Sequence, residues 1–427
     1  MKRTFATLGF LVLAAAVPVS GAGAEAPALT PEAVEAAILQ GFPTIEAAAA
    51  AVEAARSRLD RTRRIADPVL ELAGGRGEDR SGPESGSEWG AALELELPAP
   101  WTYRKATAAA EARIGVAEAD LAEVRARTVA RIRALVLRMA AARRSVEVLE
   151  TQAEMVERLA EFTALRVELG EARELERLRM EVELGRIRRK VDLARAEHDA
   201  VAGTLVRLSG GRLPARFRVR VPGANTPPPV DRPALEALLL QANPELAAGL
   251  QRARAAGAQA EFQRSLALPT FVTRAETATE YDSRSASLSL AFKVPLWNRN
   301  RPASAAAEAE HRRALSEVEF RRRSLLGRLD SAVSRYEAAR RTALRFRTEI
   351  LPAAREATRL AELSYREGET SILDLLDARR NAQDAELENI QAWLQVQLLR
   401  VEIDLLTGRL GRSATITDTS ESRESRS

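Results

Sequence analysis

The segment WGAALELEL, residues 89–97, alternates between two kinds of side chain. Tryptophan and three leucines occupy odd positions, whereas a glycine and two glutamates occupy even positions, and alanine stands at both 91 and 92. Alternation with a period of two is typical of a β-strand that has one apolar and one polar face. The segment SASLSLAFKV, residues 285–294, alternates in the same way, which predicts a second strand of this kind.

Each of these two strands has a predicted partner that precedes it in the chain. Residues 69–76 would pair with the first strand and residues 270–279 with the second, through polar loops at 77–87 and 280–284. Strands of about 9–11 residues with one apolar face are what a transmembrane β-barrel requires. A soluble hairpin sheet would alternate in the same way, so the strands alone leave both interpretations open.

The strand pairs belong to a layout that the chain repeats. Because each copy of an internal repeat folds into the same supersecondary unit, the sequence predicts a first repeat over 30–210 and a second over 231–408. A Pro- and Arg-rich linker, 211–230, would join them. Residues that start or stop helices recur at an offset of 201 residues: Thr30, Pro43 and Pro68 become Asp231, Pro244 and Pro269.

A helical hairpin is predicted after each strand pair. Residues 101–168 and 300–367 contain hardly a helix breaker and keep near-heptad apolar spacing, which predicts helices of roughly 100 Å. Gly170 and Gly368 follow them as the hairpin tips. The fold class is therefore mainly α with a strand hairpin in each repeat, the strands at about 69–97 and 270–295 and the helical hairpins at about 101–209 and 300–407.

The two ends of the chain have their own patterns. Lys2 and Arg3 precede an apolar run over 5–17 and the small residues 22–24, which predicts a signal peptide over 1–24. The run is shorter than the roughly 20 residues that a membrane-spanning helix needs. Residues 409–427 are polar and charged, which predicts a disordered tail.

Composition and motifs argue against several classes of function. The chain has no cysteine, and its 64 basic and 60 acidic residues are interspersed, so no nucleic-acid partner is expected. His198 and His311 lie on separate predicted helices without a second ligand at metal spacing. No phosphate-binding loop or nucleophile motif is present. We therefore expect no metal, no cofactor and no enzyme activity.

The segment YREGETSILDLLDA, residues 365–378, resembles the second hairpin tip of the TolC-like outer membrane efflux proteins. Residues 98–101 and 295–298 resemble the strand-to-helix junctions of that family, which places Trp101, Pro295 and Trp297 at the junctions. Residues 243–246 resemble its repeat opening. These motifs stand in the family's order, and the resemblance covers about 30–408.

The resemblance implies a homotrimer in which each chain gives four strands to one twelve-stranded transmembrane β-barrel above a periplasmic α-helical tube. It implies contact with outer-membrane lipid, with a periplasmic adaptor (membrane fusion protein) and with an inner-membrane pump. It also implies that Asp374 and Asp377 form the periplasmic gate. Six such carboxylates at one aperture should repel each other, favour cations and have raised pKa values. A solvated helix N-terminus is the alternative role for both residues.

The predicted function is an outer-membrane exit duct of a tripartite efflux or type I secretion system, located in the cell outer membrane with its helices in the periplasm. A periplasmic coiled-coil adaptor or structural protein is the alternative, because its long helical hairpins would look similar. The four alternating strands distinguish the two, since an adaptor needs no strands of barrel length. The sequence does not reveal whether metal ions, drugs or proteins are the cargo, nor which pump and adaptor take part.

Overall fold

The computed structural model describes residues 27–78, 85–97, 99–221, 228–280, 283–295, 297, 299–367 and 369–410. The predicted signal peptide and Gly368 lie outside these residues, as does the tail from residue 411. Helices make up most of the described chain, so the predicted mainly helical fold with two strand hairpins is confirmed. Among the described residues, none of the helices is both long enough and apolar enough to pass through a membrane.

The first half of the chain places a strand hairpin between short and long helices. Thr30 caps the first helix, because its Oγ1 accepts a hydrogen bond from the backbone N–H of Ala33 at 3.2 Å. The elements, in order, are β1 (Ala28–Leu29), α1 (Pro31–Leu39), α2 (Pro43–Arg63), β2 (Val69–Glu78), β3 (Ser85–Leu97), α3 (Pro100–Glu168), α4 (Glu174–Leu208) and β4 (Arg218–Val219).

The second half follows the same order. Asn243 caps its second helix and also ties it to the C-terminal helix, since its amide donates to the carbonyl oxygen of Leu406 at 2.8 Å. The elements are α5 (Arg232–Ala242), α6 (Pro244–Ser265), β5 (Thr270–Thr279), β6 (Arg284–Lys293), α7 (Arg301–Arg345), a π-helical turn (Phe346–Ile350), α8 (Leu351–Arg366) and α9 (Ile372–Leu406).

The two strand hairpins form one antiparallel sheet in the order β2-β3-β5-β6. Leu70 of β2 faces Leu93 of β3, and Ala275 of β5 faces Leu288 of β6. A second, two-stranded parallel sheet joins β1 to β4 far along the chain. The register joins the two halves directly, because β3 of the first half pairs with β5 of the second.

The long helix α3 is the central column of the helical part. Near the sheet it packs against α2 and α6, with ion pairs from Glu118 to Arg56 at 2.9 Å and from Asp120 to Arg252 at 2.6 Å. Further from the sheet it packs against α4 and α9. The helices α2 and α4 therefore pack along α3 in succession, and so do α6 and α9. The helix α7 packs against α6 and α9, and α8 packs against α9.

Two hydrophobic clusters hold the short helices against the long ones. In the first half, Val34 and Ile38 of α1 pack on Ile132 and Met139 of α3. In the second half, Leu235 and Leu239 of α5 pack in the cluster that contains Leu329 and Tyr336 of α7. The hydroxyl of Tyr336 donates to the carbonyl oxygen of Pro228 at 2.8 Å, which satisfies a fully buried side chain.

The second long helix differs from the expectation of one uninterrupted helix over 300–367. The π-helical turn Phe346–Ile350 separates α7 from α8, and Pro352 is the second residue of α8. Proline has no N–H and its ring clashes with the carbonyl four residues earlier, so a regular α-helix cannot pass through it unchanged. A π turn admits the extra residue that relieves this clash without ending the helix.

Candidate functional site at the sheet and the hairpin tips

One face of the four-stranded sheet is apolar and exposed. Leu288 is 84% exposed, and Leu72, Leu290 and Phe292 are exposed as well. The register places these residues on the same face as Leu93. A soluble monomer rarely exposes an apolar patch of this kind, so this face is expected to be covered by another apolar phase or surface.

The opposite face of the sheet is polar and carries an ion-pair cluster. Arg274 of β5 lies 3.2 Å from Glu71, 3.6 Å from Glu94 and 3.2 Å from Glu276. These residues come from three neighbouring strands, and the pairing of Glu94 with Arg274 follows from the register. The sheet therefore has one face suited to lipid and one suited to water, as the alternation predicts.

The edges of the sheet are open within the described chain. The strands β2 and β6 each have one hydrogen-bonded neighbour, because the sheet order ends at them. An unpaired, exposed edge strand is a template for pairing with another chain. The sheet is thus complete only when other strands join both edges.

The predicted strand-to-helix junctions differ in how well they are packed. The ring of Trp101 lies 5.6 Å from that of Phe271, which in turn lies 5.3 Å from that of Phe292, so the first junction joins an aromatic cluster. Pro295 is half-buried, and Trp297 is 96% exposed, so the described residues of the second junction show no such packing.

The second junction turns through two residues that the sequence analysis did not single out. Arg299 and Asn300 have φ angles of 36° and 50°, in the left-handed region that L-residues rarely adopt. The amide of Asn300 donates to the carbonyl oxygen of Gln263 at 2.7 Å, which holds the turn against α6. Asparagine is one of the few residues that tolerates this conformation, and that preference is the signal that could have identified the turn.

The first hairpin tip is built around Gly170. Its φ of +76° ends α3 in a conformation that suits glycine, and the backbone N–H of Glu171 then donates to the carbonyl oxygen of Arg166 at 2.8 Å. The guanidinium of Arg166 also donates to the hydroxyl of Tyr365 at 3.4 Å. This hydrogen bond joins the first hairpin tip to the second, and its partners are 199 residues apart in the sequence.

Asp374 takes part in a capping box at the start of α9. Its carboxylate accepts hydrogen bonds from the backbone N–H of Ser371 at 3.0 Å and from the Ser371 hydroxyl at 2.7 Å. These hydrogen bonds to the charged form lower the pKa of Asp374. Crowded carboxylates are expected to have raised pKa values, whereas the pKa of Asp374 is lowered within one chain. A raised pKa would require the six aspartates of three chains to meet.

Asp377 is exposed and belongs to a small ion-pair network. Its carboxylate lies 3.4 Å from Arg380, whose guanidinium also donates to Glu183 of α4, from Nε at 3.0 Å and from Nη2. The side chain of Glu183 is only 11% exposed, and the hydrogen bonds from Arg380 lower its pKa. The network therefore joins the first helical hairpin to the second beside the predicted gate.

Arg379, the neighbour of Arg380, contacts α8 and not α4. It pairs with Glu362 of α8 at 2.9 Å and its side chain is only 14% exposed. Burial lowers the pKa of Arg379, and the nearby cations Arg158 and Arg366 lower it further. Sequence reasoning missed both arginines, because nothing in a single sequence shows which helix each would face.

Two matches relate the sequence to proteins that are already described. Residues 235–409 match the family model described as Outer membrane efflux protein. A relative, the cobalt-zinc-cadmium resistance protein CzcC of Cupriavidus metallidurans, is 25% identical over 305 residues, which cover 70% of this chain and 72% of the relative. The second half of the chain therefore resembles the outer membrane efflux proteins in sequence. The resemblance stated from the sequence is thereby confirmed.

Two solved structures of channel proteins share the fold over most of their length. The outer-membrane channel OprN has a TM-score of 0.75 and 21% identity, covering 88% of this chain and 89% of its own. CusC has a TM-score of 0.77 and 16% identity, covering 89% of this chain and 92% of its own. The strand hairpins and long helices of this chain are therefore the fold of these two proteins.

Proposed function

We propose that this chain is the outer-membrane exit duct of a tripartite efflux system, a passive conduit through which an inner-membrane pump expels its cargo. The observation that carries this function is the two-faced sheet, apolar and exposed on one side and ionic on the other, joined to long helices. An adaptor has no use for an exposed apolar sheet, whereas a duct needs both faces. The match of residues 235–409 to the Outer membrane efflux protein model supports the same function and its outer-membrane location.

The open strand edges support a trimer. If β6 of one chain pairs with β2 of the next, three chains close a barrel of twelve strands without any free edge. The helices that follow the strands would then continue the barrel as a periplasmic tube. A periplasmic adaptor and an inner-membrane pump complete the system.

We propose that the chain has two repeats, 30–210 and 231–408, with 211–230 as the linker, 1–24 as a signal peptide and 409–427 as a disordered tail. The matched order of strand hairpin and helical hairpin supports the two repeats. We also propose that the duct has no enzyme activity, since passage is driven by its partner. CzcC is named for cobalt, zinc and cadmium resistance, so divalent metal ions are the cargo that we propose to test first.

Native mass spectrometry of mature protein, extracted from outer-membrane fractions with mild detergent, tests the duct. A trimer that is found only in this fraction is the expected result, because the apolar sheet face needs lipid and the open edges need two further chains. A water-soluble monomer or dimer in the periplasmic fraction would instead favour the adaptor-like alternative.

The gate assignment of Asp374 and Asp377 predicts a change in conductance. The double variant Asp374→Asn/Asp377→Asn removes both negative charges, while the new amide at position 374 still offers a side-chain oxygen to the backbone N–H of Ser371. We expect a severalfold higher resting conductance and weaker block by multivalent cations in planar bilayers. Glu176→Gln, at the other hairpin tip, is the control variant. Unchanged conductance and block in the double variant would remove the gate role.

A further inference from the structure

An open pocket of about 500 Å³ lies between the two hairpin tips. It is bounded by the ends of α3 and α8 and by the starts of α4 and α9, so both halves of one chain contribute to it. Its charged lining consists of Arg166, Arg179 and Arg366 together with Glu176. The lining therefore has three cations and one anion, which leaves an excess of positive charge.

Two of the three arginines have no partner within the part of the chain that the structure describes. Arg179 and Arg366 form neither an ion pair nor a hydrogen bond with any described residue, whereas Arg166 pairs with Glu171. Arg177, two residues from Arg179, is bound to both Glu174 and Glu181. The pocket thus contains two guanidinium groups that are free to bind a ligand.

A buried polar atom in the pocket is also without a partner among the described residues. The hydroxyl oxygen of Thr370 is buried and has no hydrogen-bond partner there, although a buried hydroxyl normally finds one. Thr370 comes directly before the N-terminus of α9, whose helix dipole adds positive potential. The hydroxyl can donate to an acceptor that enters the pocket.

The third observation is the apolar wall of the pocket. Phe162 and Leu373 line it and are exposed. A basic pocket beside exposed apolar side chains suits a carboxylate that is carried on a short aliphatic stem, as in citrate or a glutamate side chain.

We propose that this pocket is a carboxylate-binding site in which Arg179 and Arg366 hold the oxyanion and the Thr370 hydroxyl donates to it. The carboxylate comes either from a free polycarboxylate or from acidic side chains of a partner protein at the tip. If acidic side chains of a partner protein are the source, the site specifies the chemistry by which the duct binds that partner. This part of the proposal rests on the proposed function. The pocket itself is formed within a single chain.

Isothermal titration calorimetry on the purified full-length protein tests the site with two probes, citrate and an acetylated hexaglutamate amide. We expect one molecule of at least one probe to bind per chain, with affinity that falls as salt concentration rises. The double variant Arg179→Gln/Arg366→Gln should weaken binding at least about tenfold, since two charge-assisted hydrogen bonds are lost. Thr370→Val should weaken it less.

Arg177→Gln is the matched control, because it removes an arginine of the same tip that does not line the pocket. Citrate binding would show that a free polycarboxylate fits, and binding of hexaglutamate alone would identify acidic side chains as the source. If neither probe binds at up to about 10 mM, or if the double variant binds as well as the unsubstituted protein, the site is refuted. Calorimetry requires no conductance, so failure of the site and failure of the duct are separate results.

Discussion

Replacing Leu288 with arginine is expected to prevent assembly in the outer membrane almost completely. Leu288 lies in the middle of β6 on the apolar face and is 84% exposed in the single chain. An arginine on the lipid face near the middle of the bilayer costs about 2–4 kcal/mol, and a trimer would carry three of them. The measurement is the fraction of protein recovered as native trimer from outer-membrane extracts.

Ser287→Arg is the control for this prediction. Residue 287 is adjacent in the sequence but lies on the opposite face, where its cross-strand neighbour is Glu276. An arginine there would meet water and a carboxylate, so assembly should be close to normal. Equal recovery of the two variants would contradict the assignment of the apolar face to lipid.

The sequence predicts the sheet well because alternation is a local signal. The residues that belong to one face follow from counting by two. The observed strands overlap the predicted ones, but β3 begins at Ser85, four residues before the predicted start, and β6 ends at Lys293, one residue before the predicted end. The helices follow from periodicity in the same way. What counting does not give is the order of strands, since pairing of β3 with β5 depends on how the two halves meet.

Local departures from regular structure are harder to predict. Pro352 is visible in the sequence, yet whether it ends, kinks or only widens a helix depends on the packing of the neighbouring helices. The left-handed turn at Arg299 and Asn300 likewise depends on the amide of Asn300 reaching α6. Both features are set by tertiary contacts that override local propensity.

The candidate tip is predictable only in part. Asp374 and Asp377 stand out because residues 365–378 resemble the hairpin tip of a known family, and the capping role of Asp374 follows from Ser371 three residues earlier. Glu183 has no such signal, since its partner Arg380 is 197 residues away. The contact exists because α4 and α9 both return from hairpin tips and pack Met180 and Ile187 against Leu375 and Leu376.

Glu183→Gln is expected to loosen the tip. Removing one partner of a buried ion pair costs about 3–5 kcal/mol, but Arg380 is 40% exposed and can regain water, so we expect about 1–2 kcal/mol here. The measurement is hydrogen–deuterium exchange of the α9 segment 375–384, corrected for intrinsic rates, which should become faster in the variant. Glu181→Gln, an exposed neighbour that pairs with Arg177 within the same helix, should leave the exchange of α9 unchanged.

The same pair predicts how the tip responds to acid. The pKa of Glu183 is lowered by folding, so the pair stabilises the tip above the unfolded pKa of about 4.3 and this stabilisation is lost as pH falls through the lower folded value. Exchange of α9 in the unsubstituted protein should therefore accelerate on acidification, whereas Glu183→Gln should lack this component. Parallel acid profiles for the two proteins would show that the network between α4 and α9 does not hold the tip, and that Asp377 is positioned by its own helix alone.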